Sequence, residues 1–449
     1  MSSVRVRDFL DKVNATYWFL PSLMSLLAAI TAVVLVSVNQ FIPSYWYQDK
    51  FFIFSTTSIA DARNVLNAVA DTALAIIGVV FSITLVPLTI ASSQYGSIVL
   101  RSFLRDRGTQ IVLGAYSATT FYCLFLLLRL RNVTLVSVLD LPLSIALYML
   151  IISLMMLLYF FHHVADSLQA SAVVEQVSRE LESIIEETPP SEKDALLKYS
   201  QDLETARRTV MHEGYSVTST RKGYIRAIDF NRLMRVATER KLVLHLTCSP
   251  GDFVGRGDPL LLVSPTQPDE EFRTTINRAY FLGRNRTLFQ DPEFGIYLIV
   301  IIAVRALSPA INDPYTPVLC LNRLGSALSI LAEHDIPFPH SFDRDGKLRL
   351  IVEHVTFDRL VGVSFNMIRE YGRGSTEILL QMLDTIKSVA NHVHSENQRQ
   401  VLLMHARLID DSRLGLSSDY DKQRVHNSFE ELVLQLGRPD VSLNGVAPH

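Results

Sequence analysis

The sequence predicts a membrane protein: a four-helix transmembrane region, then a cytoplasmic α+β domain with a small β barrel- or sandwich-like module and a helical C-terminal part. Three observations predict it. Four long apolar runs crowd into the first third of the chain. Between Gly214 and Val263 the apolar spacing changes to a period of two. From Asp291 onward, helix-capping signals introduce apolar helical faces. On this reading residues 1–163 form the transmembrane domain, 164–212 a helical stalk or linker, 213–268 the β-rich module, and 269–449 a helical cytoplasmic domain.

Each element has its own warrant. A bilayer-crossing helix needs about 20 apolar residues, and stretches 17–38, 68–92, 111–130 and 142–163 supply them with no charge in the middle. The first follows Arg5, Arg7 and Lys12, but its apolar run is longer than a signal-peptide core and no cleavage pattern follows, so it reads as a retained helix. Arg5, Arg7 and Lys12 fall on the same side as Arg101, Arg105 and Arg107, against Lys50, Arg63, Arg129 and Arg131 opposite. This basic bias places both termini in the cytoplasm. Tyr45, Trp46 and Tyr47 read as an interfacial belt on the outer side.

The second segment carries the most information. Thr57 or Ser58 can cap it, with Asp61 in the first turn. Asp71, Ala75, Gly78, Ser82, Leu85, Thr89 and Ser92 recur every three or four residues and share one helical face. A small or polar face serves close helix packing, or it lines a water-filled path, with Leu85 as the apolar constriction. Pro87 is the natural hinge. His162 and His163 end the fourth segment. Adjacent helical side chains point about 100° apart, so they cannot chelate one ion together and read as interfacial residues.

Beyond the membrane, Val173, Val177, Leu181 and Ile184 keep a helical spacing and read as a stalk able to pack against copies of itself, ended by Pro189 and Pro190. A polar helix is expected over 192–210. Strands are expected over 215–220, 224–228 and 242–247, with Asp229 capping a helix between the last two. The turn-rich run 250–260 is similar to the paired turns of biotinyl/lipoyl-type barrel modules. No lysine stands where such a module carries its group, so no cofactor is expected. Arg256-Gly257-Asp258 reads as a turn.

Asp291-Pro292-Glu293 opens a helix with a capping carboxylate and proline in the first turn. Its core, 296–304, is too short to cross a bilayer and reads as a buried helix. A second helix is expected from Thr316 as N-cap and Pro317 as first residue, and a helical tail over 374–436. Asp291, Glu293, Arg305, Asn312 and Asp313 form the densest polar set beside an apolar core, and caps, turns and one ion pair account for each of them. No phosphate loop, dinucleotide fingerprint, nucleophile elbow or metalloprotease motif is present, so no catalytic residue is assigned. Cys123, Cys248 and Cys320 are too scattered for a metal site, and the net charge of -3 with no long basic run points away from nucleic acid.

Val80-Phe81-Ser82-Ile83-Thr84-Leu85, Ala91-Ser92-Ser93-Gln94-Tyr95, Phe103-Leu104-Arg105-Asp106-Arg107, Phe160-Phe161-His162-His163, Pro250-Gly251-Asp252-Phe253-Val254 and 306–314 (Ala-Leu-Ser-Pro-Ala-Ile-Asn-Asp-Pro) together resemble the bacterial membrane family catalogued as domain of unknown function 2254. The family pattern has Pro-Arg where this chain has Ser97 and Ile98. The resemblance implies a multi-pass protein of the bacterial inner membrane and brings no activity. Three functions follow in order of expectation. The first is a homo-oligomeric channel or transport protein for a small ion, lined by the second helix and gated or capped by the cytoplasmic domain. The second is a membrane-anchored sensor or scaffold binding a cytoplasmic ligand or protein. The third, a membrane enzyme, requires Asp291, Glu293 and Asp313 to meet in one cleft.

Overall fold

The computed structural model describes residues 18–39, 58–94, 107–130, 139–167, 169–186, 207–333, 341–343, 345–352 and 355–437. The Tyr45-Trp46-Tyr47 belt, the loop at 95–106, Pro189-Pro190 and most of the helix expected over 192–210 lie outside these residues, as do the side chains of Pro87 and Ser92. The chain divides into two compact units, Met1–Val173 and Val174–His449.

The first unit holds helices α1 (Phe19–Asn39), α2 (Ile59–Gln94), α3 (Arg107–Arg129) and α4 (Asp140–Ser167). All four are long and apolar enough to cross a membrane, over Phe19–Val38, Ile59–Leu85, Arg107–Arg129 and Asp140–Val164. Neighbours fix their directions. Gly114 of α3 abuts Pro21 and Met24 of α1, while Val36 clusters with Leu126 and Leu130, so α1 and α3 run parallel. Ala62 and Leu66 cluster with Leu126, Leu130, Leu139 and Leu143, and Val80 with Val112, Phe160 and Val164. Hence α2 runs against α3 and alongside α4. The helices alternate up and down. Small residues at the α1–α3 contact, Ala28, Ala32 and Gly114, let the two backbones approach. The Tyr116 hydroxyl donates to the Ser153 carbonyl at 2.7 Å and that of Tyr122 to the Pro142 carbonyl at 3.1 Å. These two hydroxyls, placed in the apolar core, are thereby satisfied within the bundle, as hydrocarbon favours.

The apolar run of the second segment starts at 68, but the helix itself begins at Ile59, capped by Ser58 as its position suggests: the Ser58 hydroxyl accepts from the Asp61 amide at 3.1 Å. Asp61, Arg63, Asn64 and Asn67 make this first stretch look too polar for a membrane segment. Its other face, Ala62, Leu66, Val69 and Ala70, is nonetheless buried.

The second unit begins within α5 (Ala170–Glu186). The stalk reading is corrected here: α5 does not stand free. Val174, Val177 and Leu181 are buried, Leu181 lies against Gly295, Glu175 pairs with Arg323, and Ser326 donates to Glu182 at 2.9 Å. The apolar stripe that suggested self-association is therefore covered by the chain's own helices.

The β-rich part comprises β1 (Tyr215–Thr218), β2 (Gly223–Ile228), α6 (Phe230–Glu239), β3 (Val243–Leu246), β4 (Phe253–Val254), β5 (Pro259–Ser264), α7 (Glu270–Asn277) and β6 (Tyr280–Gly283). After α8 (Pro292–Ala306) and α9 (Tyr315–Glu333) come β7 (Ser341–Phe342) and β8 (Leu348–Val352). One sheet has the order β1-β5-β3-β8-β7, the other β4-β2-β6. Among the described residues no closed barrel is found, which corrects the barrel expectation. The reason lies in β8, read as nothing in the sequence. It pairs parallel with β3, Leu244 opposite Leu350, and sends Leu350 and Val352 into the same core as Val217, Leu261 and Phe272. The sheet thus extends sideways through a distant strand instead of curling on itself. Asp229 caps α6 as its position suggests, accepting from the Arg232 amide at 3.1 Å.

The helical part continues with α10 (Phe357–Gly372), α11 (Thr376–Ala390), α12 (Glu396–Ser412) and α13 (Asp419–Leu436). At its centre α8 buries Ile296, Ile299, Val300, Ile302 and Ala303, matching a core helix too short for a bilayer. The expected Thr316 cap is replaced by Asp313. Its carboxylate accepts from the amides of Tyr315 at 3.0 Å and Thr316 at 3.2 Å, and α9 starts at Tyr315. A carboxylate reaches two orphan amides at once, which the Thr316 hydroxyl cannot.

Candidate functional site

The unexplained chemistry of the first unit lies on α2. Its packing face consists of Ala62, Leu66, Val69, Ala70, Ala73 and Val80, all buried. The face singled out by spacing points elsewhere: Asp71, Ala75, Gly78, Ser82, Leu85 and Thr89 are all exposed within the unit. A side chain built at Gly78 would meet nothing. Small residues that serve packing inside one chain would be buried there, and these are not.

Depth follows from the neighbours on the packing face. Ala70 shares a core cluster with Ala118 and Tyr122, and Ala73 with Tyr116. Asp71 therefore stands level with the middle of α3 and midway along the Ile59–Leu85 span. Thr119 and Ser153, 3.3 Å apart, lie at the same level inside the bundle. Among the described residues no hydrogen bond or ion pair reaches the Asp71 carboxylate. A carboxylate at the centre of a bilayer costs about 2.5–3.5 kcal/mol even on the permissive insertion scale. Leu85 closes the span, with 48% of its surface exposed, and Thr89 lies past it. The backbone of α2 remains helical through position 87 to Gln94.

Sequence reasoning missed two residues of this face. Asn64 and Asn67 are exposed and continue the same three-or-four-residue series back from Asp71. The series itself was the available signal. The hydroxyls of Thr72, Ser82 and Thr89 donate to the carbonyls of Ala68, Gly78 and Leu85 at 2.7, 2.9 and 2.8 Å. With their protons engaged, these oxygens present only lone pairs outward.

His162 and His163 stand where α4 meets the start of α3. The His163 ring stacks on Tyr159 with centroids 5.5 Å apart and lies against Gly108, where a Cβ would fall 2.5 Å from its Nε2.

In the second unit the polar set does not converge. Asp291 caps α8, accepting from the Phe294 amide at 3.0 Å, and takes a two-pronged ion pair from Arg286 at 2.8 and 2.9 Å. Burial pushes its carboxyl above the usual range, and the Arg286 bonds only partly offset that. Glu293 pairs with Arg359 at 2.8 Å. Arg305, Asn312 and Asp313 lie at the other end of α8, about 20 Å away for a helix of this length. Asn312 adopts φ +48, a left-handed turn conformation asparagine tolerates. Around Asp291 the start of the turn-rich run 250–260 finds its purpose. Gly251, at φ +95, lets its loop lie directly against the Asp291 carboxylate and Arg286, where any Cβ would collide. Gly257, also at φ +95, turns the Arg256-Gly257-Asp258 segment, and Asp258 accepts from the Gly255 amide at 2.7 Å. Cys123, Cys248 and Cys320 are buried, and burial pushes the Cys248 thiol up to about 12. Among the described residues no group of histidine, cysteine and carboxylate side chains is arranged to hold a metal.

Two relatives bear on these features. Uncharacterized proteins of Mycobacterium bovis and Mycobacterium tuberculosis are each 28% identical to this chain over 413 residues, which is 90% of it and 77% of theirs. No solved structure matches. The family model described as predicted membrane protein (DUF2254) matches residues 14–388, spanning the four apolar helices, both sheets and the helices through most of α11; the chain belongs to that family.

Proposed function

We propose that the chain assembles into an oligomeric inner-membrane channel or transport protein, with the exposed face of α2 lining the path and the cytoplasmic domain gating or capping it. The carrying observation is Asp71: an ionisable group at mid-depth, on a small and polar face, with no partner among the described residues. Lipid does not accept such a face, whereas a water-filled path between copies does. Four helices are too few to enclose a path alone, so the reading needs several copies. The alternating helices support an even number of crossings, and the basic bias then puts both termini in the cytoplasm. No catalysis is assigned, since Asp291, Glu293 and Asp313 are engaged in caps and ion pairs.

The test is cysteine scanning of Ala75, Gly78 and Ser82 in the full chain reconstituted in liposomes. A water path makes these positions reactive to a membrane-impermeant maleimide, and Leu85→Ser changes ion flux. Complete inertness of all three, with no flux, refutes the reading. A membrane-anchored sensor or scaffold is favoured by one fact, the size and separate core of the 174–449 unit. It predicts a specific partner captured through that unit and no flux.

A further inference from the structure

We infer that the species carried along α2 is a small monovalent cation, held at mid-depth by Asp71 carboxylates contributed by several copies. The inference rests on the path reading above and names what passes. Three observations carry it. First, the charge is uncompensated: no lysine or arginine occurs between Arg63 and Arg101, between Arg107 and Arg129, or between Arg131 and Arg179. The nearest basic residue of the helix, Arg63, is two turns from Asp71, toward the end of the span. No lysine or arginine of these segments therefore stands at mid-depth to supply the counter-charge. Second, the hydroxyl oxygens of Ser82 and Thr89 on this face have spent their protons on backbone carbonyls and offer only acceptor lone pairs. Such a surface solvates cations and not anions. Third, in a ring of copies about the membrane normal, every Asp71 falls at the same depth. Like carboxylates gathered in a low dielectric repel strongly unless a cation sits among them.

The site is tested on the full-length protein in planar bilayers under a potassium chloride gradient, reading the reversal potential. The wild type is expected to select potassium over chloride. Asp71→Asn lowers that preference about tenfold, the order expected from removing a focused charge. Asp71→Glu preserves it, and Asp71→Lys shifts it toward chloride. Particle size in detergent shows that the variants still assemble, and the glutamate variant guards against a purely structural effect. Conduction that does not discriminate potassium from chloride, or a preference unmoved by Asp71→Asn, overturns the cation site and leaves the path standing. Absence of conduction in the wild type overturns both.

Discussion

Replacing Arg286 by methionine tests the ion pair on which the second unit's sheet loop and core helix meet. Asp291 is 2% exposed, and both of its oxygens receive Arg286 nitrogens, at 2.8 and 2.9 Å. The guanidinium also lies 5.2 Å from the Phe294 ring centroid, so methionine keeps much of the apolar contact while removing the charge. What remains is a buried carboxylate held only by the Phe294 amide. Removing one partner of a buried pair costs about 3–5 kcal/mol, because the stranded charge dominates. For a unit of this size, that is a fall in Tm of at least about 6 °C. The pH dependence fixes the cause. The Asp291 carboxyl already sits above its unfolded value because of burial. A raised acid binds its proton more tightly when folded, so its contribution falls as pH rises through that raised value. Loss of Arg286 raises it further, so the deficit of the variant shrinks on acidification. Asp291→Asn added to Arg286→Met recovers most of the loss, since asparagine still caps α8. Thermal unfolding of the detergent-solubilised chain at several pH values measures all of this. A deficit under about 1 kcal/mol, or one equal at all pH values, refutes the buried-charge argument.

Three further outcomes follow from packing. Gly251→Ala forces a side chain into a left-handed position against the Asp291 carboxylate, and thermal unfolding should show a loss of about 2 kcal/mol or more. Leu181→Ala opens a cavity beneath α5 at a cost of about 2–5 kcal/mol; were α5 an exposed self-associating stalk, particle size would change and Tm would not. Asp313→Ala removes the cap of α9 for about 1 kcal/mol. Burial pushes the Asp313 carboxyl up, but bonds from Thr316 and Tyr315 outweigh this and leave it below its ordinary value. Its contribution is thus present at neutral pH and lost as acid carries the pH down through that lowered value, so the wild-type advantage over Asp313→Ala should vanish there.

How far the sequence speaks depends on the range of the forces involved. Hydrocarbon acts on about 20 residues at once, so apolar runs betray the four long apolar helices directly. It misleads at the start of α2, where Arg63, Asn64 and Asn67 dilute a segment whose opposite face, Ala62 and Leu66, packs fully. Caps are local, so Asp229 and Asp291 are legible. Asp313 is not, because Asp313 and Thr316 are both good caps and only the turn geometry chooses between them. The parallel partner of β3 lies far along the chain, and no nearby pattern in Leu348–Val352 announces it. In the candidate site, the periodic face of α2 is readable from spacing, whereas the depth of Asp71 emerges only from which residues of α3 share a core cluster with its neighbours.

The pairing of β3 with β8 also governs the order in which the polypeptide can mature. As the chain leaves the ribosome, Leu244–Leu246 must wait for Leu350–Val352, with the α8–α9 hairpin emerging in between. Throughout that interval one flank of β3 is an open ladder able to recruit any other extended strand. Truncations ending before residue 348 should accordingly be the ones most prone to aggregate during expression, even though they retain α1 to α4.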